Sequence, residues 1–447
     1  MTHAPVDLLQ RSNLTNRSFG CFHFTQGPPK RTPDGSRLTW LRALLIAIFP
    51  LFILAGCGSS DDRIRIRIWH EKRAAERDLF EDAIAEYNRA HAGIVVEALY
   101  RETEELRNLY VVAAVGGRGP DLIYSPADNA GVFDLTEVVM PLDSLFTPAF
   151  LDGFMEAGLV RYENRTMMIS DQVRTFLAFV HNRELLPEAP QTIDEWIAAL
   201  QDATIDTDGD GTPDQYGMTW NYREPFFFIP FLSCFGGWVM DDAGNPTLDT
   251  PETVRAIKFV IDLRDKYHVI PGESDYEMAE ALFQEGRAAS IINGPWAFAG
   301  YGNAGVDYGI APLPQHHETG NWCAPMVATS GYAVNSNVPA DKLPHIRELI
   351  EFLTSAEMQE RMIHEIESIP VREELRDLPA VRNSQRLQSM IRQIEVGRPM
   401  PVEPQMRQIW DGMRGPYQLV MNGAVTPEEG ARMMQQEVEK RIADTFL

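Results

Sequence analysis

The sequence predicts an α/β fold built from two units, and three observations carry that prediction. Segments of strand period and helix period alternate along the chain, the alternation restarts past residue 175, and 447 residues with 44% apolar content are enough for more than one core. Residues 63–69, Arg-Ile-Arg-Ile-Arg-Ile-Trp, alternate charged and apolar side chains, which is the period of a strand. Residues 74–90 carry Leu79, Phe80, Ala83, Ile84 and Tyr87 at helical spacing. A strand at 94–99, a helix at 104–115 and a short buried strand at 121–124 follow, so the first unit is expected to hold a largely parallel sheet flanked by helices. Ligands of such sheets sit beyond the carboxyl ends of the strands, which directs attention to Trp69 and Tyr124.

The second unit begins with a strand at 176–180 and continues with a helix at 192–201. An acidic loop, an aromatic block at 226–235, helices at 251–267 and 276–285, and a strand at 288–292 complete it. From residue 341 the tail reads as helical, with Ile346, Leu349, Ile350, Leu353, Met358, Met362 and Ile363 forming an apolar stripe.

Charge and the first 60 residues bound where the chain works. A formal charge of −24 excludes nucleic acid as a partner, because a phosphate backbone is held by clustered Lys and Arg. Arg37 and Arg42 precede an apolar run at 43–54 of about a dozen residues, short of the roughly 20 needed to cross a bilayer. Leu54-Ala55-Gly56-Cys57 closes that run and matches the bacterial lipobox, so residues 37–56 are read as a lipoprotein signal peptide and Cys57 as the lipidated residue. The expected location is extracytoplasmic, anchored to the membrane through Cys57: periplasmic in a Gram-negative cell, at the surface in a Gram-positive one. Residues 1–36 resemble no export signal and are read as an extension, disordered or preceding the natural start. With Cys21 in that extension and Cys57 lipidated, Cys234 and Cys323 remain, and composition alone leaves them either paired or free and buried.

Three ordered segments carry a resemblance. They are Trp220-Asn-Tyr-Arg-Glu224-Pro225-Phe226, then Ile292-Asn-Gly-Pro-Trp296 followed by 308–314, and Gly397-Arg-Pro-Met-Pro-Val-Glu-Pro404 running on to Trp410 and Arg414. In that order and spacing the chain resembles the extracellular solute-binding proteins of the maltose-binding type. The resemblance implies a two-lobed periplasmic-binding-protein fold of type II, with residues 63–174 and 328–381 in the first lobe and 175–327 and 382–447 in the second. It also implies a monomer that closes over a sugar, mono- or oligosaccharide, and delivers it to the permease subunits of an ABC importer, with no catalysis.

Sugar chemistry agrees with the matched residues, since a pyranose offers an apolar face to aromatic rings and a rim of hydroxyls to charged groups. Trp296, Trp410 and Phe226 match stacking positions, Glu224 and Arg414 match polar cleft positions, and Tyr124 and Asp128 fall on the first-lobe segment. Two departures point away from maltose itself: Ser125 stands where a ring belongs and Thr175 where a cleft glutamate belongs. Arg174 and Asp171 are the candidates to replace those contacts.

Residues 206–214 place Asp206, Asp208 and Asp210 at positions 1, 3 and 5 of a calcium-type loop, Gly211 at 6, the Thr212 carbonyl at 7 and Asp214 at 9. Position 12 is Gly217, so an EF-hand is not expected, and a structural Ca2+ completed by other ligands is. No other cofactor is called for. The rival functional classes are a glycan-active enzyme, which needs a paired acid and base, and a binding protein for an organophosphate or a polyamine. A receptor that feeds a sensor instead of a transporter has the same sequence features.

Overall fold

A computed structural model describes residues 63–446. Cys57, the signal peptide, Cys21 and residues 1–36 lie outside the described residues. The described strands are β1 (Ile64–His70), β2 (Ile94–Tyr100), β3 (Leu122–Pro126), β4 (Val139–Met140), β5 (Leu159–Tyr162), β6 (Arg165–Thr175), β7 (Ala178–Asn182), β8 (Ser290–Asn293), β9 (Tyr308–Ala311), β10 (Met326–Asn335) and β11 (Arg398–Pro399). One sheet follows the order β2-β1-β3-β10-β6-β5, with β4 and β11 pairing β10 off that path, and a second follows β8-β7-β9.

The first unit forms as its periodicity requires. In β1, Ile66 and Ile68 are fully buried while Arg65 and Arg67 face out. β1 pairs β2 and β3 in parallel, with Trp69 opposite Leu99 and Ile123. The helices Ala74–Ala90 and Thr103–Val115 form the crossovers between these strands.

The expectation of mostly parallel sheets fails elsewhere. β10 runs antiparallel to both β3 and β6, and β7 runs antiparallel to both β8 and β9. β8 and β9, joined through the helix Pro295–Asn303, run parallel to each other as a strand–helix–strand unit requires. β7, which enters from the other sheet, lies between them and points the opposite way. Parallel pairing reaches this sheet through the bridges Tyr216–Ala288 and Thr219–Ile291.

The long strands β6 and β10 are absent from the periodicity reading for a physical reason. β6 is buried at every position from Thr166 to Arg174, so neither face is polar and no alternation is visible. The aromatic block becomes the helix Pro225–Cys234, started by Pro225 at its first position. The apolar stripe of the tail is buried on the helices Leu343–Leu353 and Ala356–Ile366. Thr192 begins the helix Ile193–Asp202 with a capping box completed by Glu195.

Cys234 and Cys323 form a disulfide 89 residues apart in sequence, and both are fully buried. Closing a loop of that length stabilises the fold by about 4 to 5 kcal/mol on chain-entropy grounds. Beside it, Ser233 Oγ donates to the Ala324 carbonyl at 2.8 Å. The end of the Pro225–Cys234 helix is thereby tied to the segment that leads into β10.

Candidate functional site

A cleft of about 470 Å³ opens where the loops beyond β1 and β3 face the second sheet's helices. One wall carries Glu71 and Arg73 from beyond β1, Asp128 and Asn129 from beyond β3, and Arg107 from the helix Thr103–Val115. The opposite wall carries Glu224, Phe226, Trp296, Trp410 and Arg414, with Arg174 and Thr175 from the end of β6 between them.

The aromatic wall is assembled from three helix starts or faces. Phe226 sits in the first turn of Pro225–Cys234, Trp296 in the first turn of Pro295–Asn303, and Trp410 on the inner face of Gln405–Met421. Phe226 packs at 6.3 Å from Trp296 and at 6.1 Å, edge to face, from Trp410. Gly294 makes room for this: a Cβ there would lie 2.1 Å from the Trp296 ring. Trp296 Nε1 donates to the Tyr276 hydroxyl at 3.1 Å, and burial together with the nearby Glu280 carboxylate raises the Tyr276 pKa, which keeps that hydroxyl protonated. Of the three successive phenylalanines, Phe228 is core, fully buried against Tyr417.

Apart from Glu224, which precedes Pro225, the polar residues of this wall lie on one helix face. Arg407, Trp410, Asp411 and Arg414 follow one another at helical spacing. Arg407 Nη2 lies 2.8 Å from Asp411 Oδ1, and Arg414 holds Glu224 through two hydrogen bonds of 3.0 and 3.2 Å.

Tyr124 and Trp69 do not line the cleft. Tyr124 is fully buried and donates its hydroxyl to Asp171 at 2.8 Å. Trp69, half-buried, packs on the core beside β1's neighbours. The strand ends themselves point into the sheet, and the loop residues one and three places further, Glu71 and Arg73, reach the cleft instead. Asp171 is likewise core: its carboxylate takes Lys72 Nζ at 2.7 Å and the Tyr332 hydroxyl at 3.2 Å. Arg174 does reach the cleft, held by Glu71 at 3.2 Å and Glu76 at 3.0 Å. Burial opposes the Arg174 cation, but Glu76, Tyr124, Glu71 and Asp171 more than offset it and its pKa is raised. Ser125 accepts from Asn129 Nδ2 at 2.8 Å behind the cleft.

In the acidic loop, carboxylate oxygens of Asp206, Asp208 and Asp210 converge within 4.8 Å of one another. Gly209 and Gly211 take positive φ and turn their N–H groups onto Asp206 at 2.8 and 3.0 Å. Asp214 departs from the expected ligand set. It accepts from Thr207, both backbone and hydroxyl, and those bonds lower its pKa. Three exposed hard-oxygen donors fit a calcium ion, and the remainder of its shell would come from water and from carbonyls such as that of Thr212.

Two lobes of α/β structure around a cleft with tilted and edge-to-face rings on one wall and ion-paired carboxylates on both define a protein that binds a small solute between them. The chain belongs to the bacterial extracellular solute-binding protein family, whose model matches residues 73–360. It is similar to the maltose/maltodextrin-binding domain MalE from Bdellovibrio bacteriovorus bound to maltotriose, at 37% identity and a TM-score of 0.81, over 85% of this chain and 100% of that one. It is 27% identical to the maltotriose-binding protein of Pyrococcus abyssi over 81% of this chain and 77% of that protein. It is 26% identical to the galactooligosaccharide-binding protein of Bacillus subtilis over 84% of this chain and 91% of that protein.

Proposed function

We propose that this chain is an extracytoplasmic receptor for a short maltooligosaccharide of about three glucosyl units, held to the membrane by lipid on Cys57 and serving the permease subunits of an ABC importer as a monomer. The observation that carries the reading is the ring cluster of Phe226, Trp296 and Trp410 beside the Glu224–Arg414 pair, a surface suited to pyranose faces and hydroxyl rims. The maltotriose in the similar Bdellovibrio structure supports the chain length. With Ser125 in place of a first-lobe ring, grip on a single glucosyl unit is weaker, which favours a trisaccharide over maltose. Ligand bridging the two walls stabilises the closed form by its differential affinity for it. Hydrolysis is not part of this reading: both Glu224 oxygens are engaged by Arg414, which suits recognition.

Calorimetry on the soluble chain from Gly58 tests it, with maltotriose, maltose, a galactooligosaccharide, a sugar phosphate and spermidine as ligands. Maltotriose is expected to bind tightest, at micromolar affinity or better. Binding of the phosphate ester or the polyamine alone would replace the sugar reading, and glucose released from maltotriose would make the protein a hydrolase.

A second reading concerns the acidic loop. We propose that Asp206, Asp208 and Asp210 hold a structural Ca2+, favoured by the convergence of their carboxylates. Chelation should lower the melting temperature, and added Ca2+ should restore it. A chelator that leaves melting unchanged, with no calcium in elemental analysis, would remove the ion from the account.

A further inference from the structure

The three most exposed large apolar side chains among the described residues lie at one end of the first lobe. They are Val112 at 75%, Val115 at 67% and Leu135 at 58%. The helix Thr103–Val115 starts in the cleft, where Thr103 and Arg107 line the wall, and runs about 20 Å away from it. Its outward face changes character on the way, from Glu105 and Asn108 to Val112 and Val115. The helix Ala130–Leu135 likewise starts beside the cleft residues Asp128 and Asn129 and ends away from them at Leu135. The turn after β10 ties the two ends together. Asn337 Nδ2 donates to the Ala114 carbonyl at 2.8 Å, and Ser336 Oγ donates to the Glu137 carbonyl at 2.7 Å. Single exposed apolar residues are ordinary on a protein surface, whereas a cluster of them marks a contact.

The chain enters the fold at this same end. β1 finishes at the cleft, with Glu71 and Arg73 beyond it, so Ile64 begins it at the base of the lobe. The turn at 116–120 returns to β3 beside it, where the Asp121 N–H donates to the Arg67 carbonyl at 2.9 Å. Five residues, 58–62, separate Cys57 from Arg63, and a link that short reaches about 20 Å at most.

We infer that Val112, Val115 and Leu135 form a lipid-contacting surface, seated at the interface of the bilayer that holds the acyl chains of Cys57. This rests on the lipid anchor proposed above. Three aliphatic side chains bind a bilayer only weakly by themselves, and the short tether compensates by holding them at a high effective concentration beside it. Arg118 and Glu137, both exposed next to the patch, carry opposite charges, so the contact is apolar and makes no demand for anionic lipid. Seated this way, the cleft at the other end of Thr103–Val115 faces away from the bilayer, toward incoming sugar.

The test uses the mature chain, acylated at Cys57, on phosphatidylcholine vesicles. With Cys234 and Cys323 joined, a cysteine added by Gly116→Cys beside Val115 takes a fluorescent label alone, and Leu419→Cys on the helix Gln405–Met421 gives a comparison site. Nitroxide-bearing lipids should quench the label at 116 several-fold more strongly than the label at 419. Val112→Ser, Val115→Ser and Leu135→Ser together should erase that difference while leaving maltotriose affinity in solution unchanged. Equal quenching at the two sites, or a difference that survives the three serines, would overturn the seating. Dimers of the soluble chain from Gly58 that are lost with the serines would overturn it in favour of a second copy. A mature chain without acyl groups by mass spectrometry would overturn the anchor itself, and the seating with it.

Discussion

Arg414 closes a two-pronged bond on Glu224, Nη2 to Oε1 at 3.0 Å and Nε to Oε2 at 3.2 Å, joining residues 190 positions apart. The pair pins the helix Gln405–Met421 to the residue that precedes Pro225, and so holds the edge-to-face contact of Trp410 on Phe226. Both side chains are roughly one-third exposed, at 38% and 29%, so the pair's contribution to stability is below about 1 kcal/mol. On the proposed sugar reading its weight falls on ligand. Arg414→Ala should therefore weaken maltotriose binding about tenfold, by calorimetry, while the melting temperature moves by only a few degrees. A large drop in melting temperature at constant affinity would show the pair to be structural.

The two cleft tryptophans should separate in their effects. Trp296 is half-buried and Trp410 only 7% exposed, its ring packed into the core that includes Met406 and Met413. Trp296→Ala should cost affinity with a modest effect on stability. Trp410→Ala should cost both, with stability falling by about 3 to 5 kcal/mol as for other buried aromatic truncations. Urea unfolding beside sugar titration checks this, and equal stability losses in the two variants would contradict the burial difference.

Gly131 marks the place where the helix Ala130–Leu135 meets the chain just before Gln405–Met421. Its N–H donates to the Val402 carbonyl at 3.1 Å, and a Cβ there would lie 2.4 Å from that oxygen and 2.7 Å from Pro404 Cδ. Neither backbone oxygen nor proline ring can yield as a flexible side chain would. Gly131→Ala should hold the two segments apart and reduce sugar affinity at least tenfold, with small-angle scattering showing a larger radius in the presence of maltotriose than the parent has. An alanine variant that binds and compacts like the parent would mean the segments part easily.

Much of this was legible in sequence wherever a single face is buried. β1 and the helices Ala74–Ala90, Thr103–Val115 and Ile193–Asp202 announce themselves by period and by the Thr192 cap. β6 and β10 do not, because burial on both faces erases alternation, and without them the antiparallel place of β7 is invisible. The aromatic wall was readable because Phe226 and Trp296 sit in Pro-started helices and Trp410 in the helix that follows Pro404, each with a fixed motif around it. The ionic wall was not: Glu71, Arg73, Arg107 and Arg407 sit in ordinary charged stretches with no motif around them, and only the loop beyond β1 and the helix faces bring them to one cleft. Tyr124 and Trp69 mislead for the complementary reason, since a ring within a strand faces the packed side of the sheet as readily as the open one.

His70, the last residue of β1, ties stability to pH. It is 1% exposed, neither ring nitrogen has a hydrogen-bond partner, and the ring lies against Phe80 at 4.8 Å and Tyr100 at 6.0 Å. Burial, then the Lys72 and Arg77 cations, lower its pKa from 6.5 to about 4. An unfolded His70 thus takes up a proton as the pH falls through 6.5, whereas the folded one stays neutral until about 4. Stability from this group is complete above pH 6.5 and is lost progressively down to about pH 4, by about 3 kcal/mol at most. His70→Phe keeps an apolar ring beside Phe80 and removes the proton linkage. Urea unfolding of parent and variant at pH 7.5, 5.5 and 4.5 should show the parent losing ground to the variant step by step toward acid. Since all other groups titrate alike in both, a constant difference across the three pH values would show that His70 already carries its proton, or has none to gain, in both states.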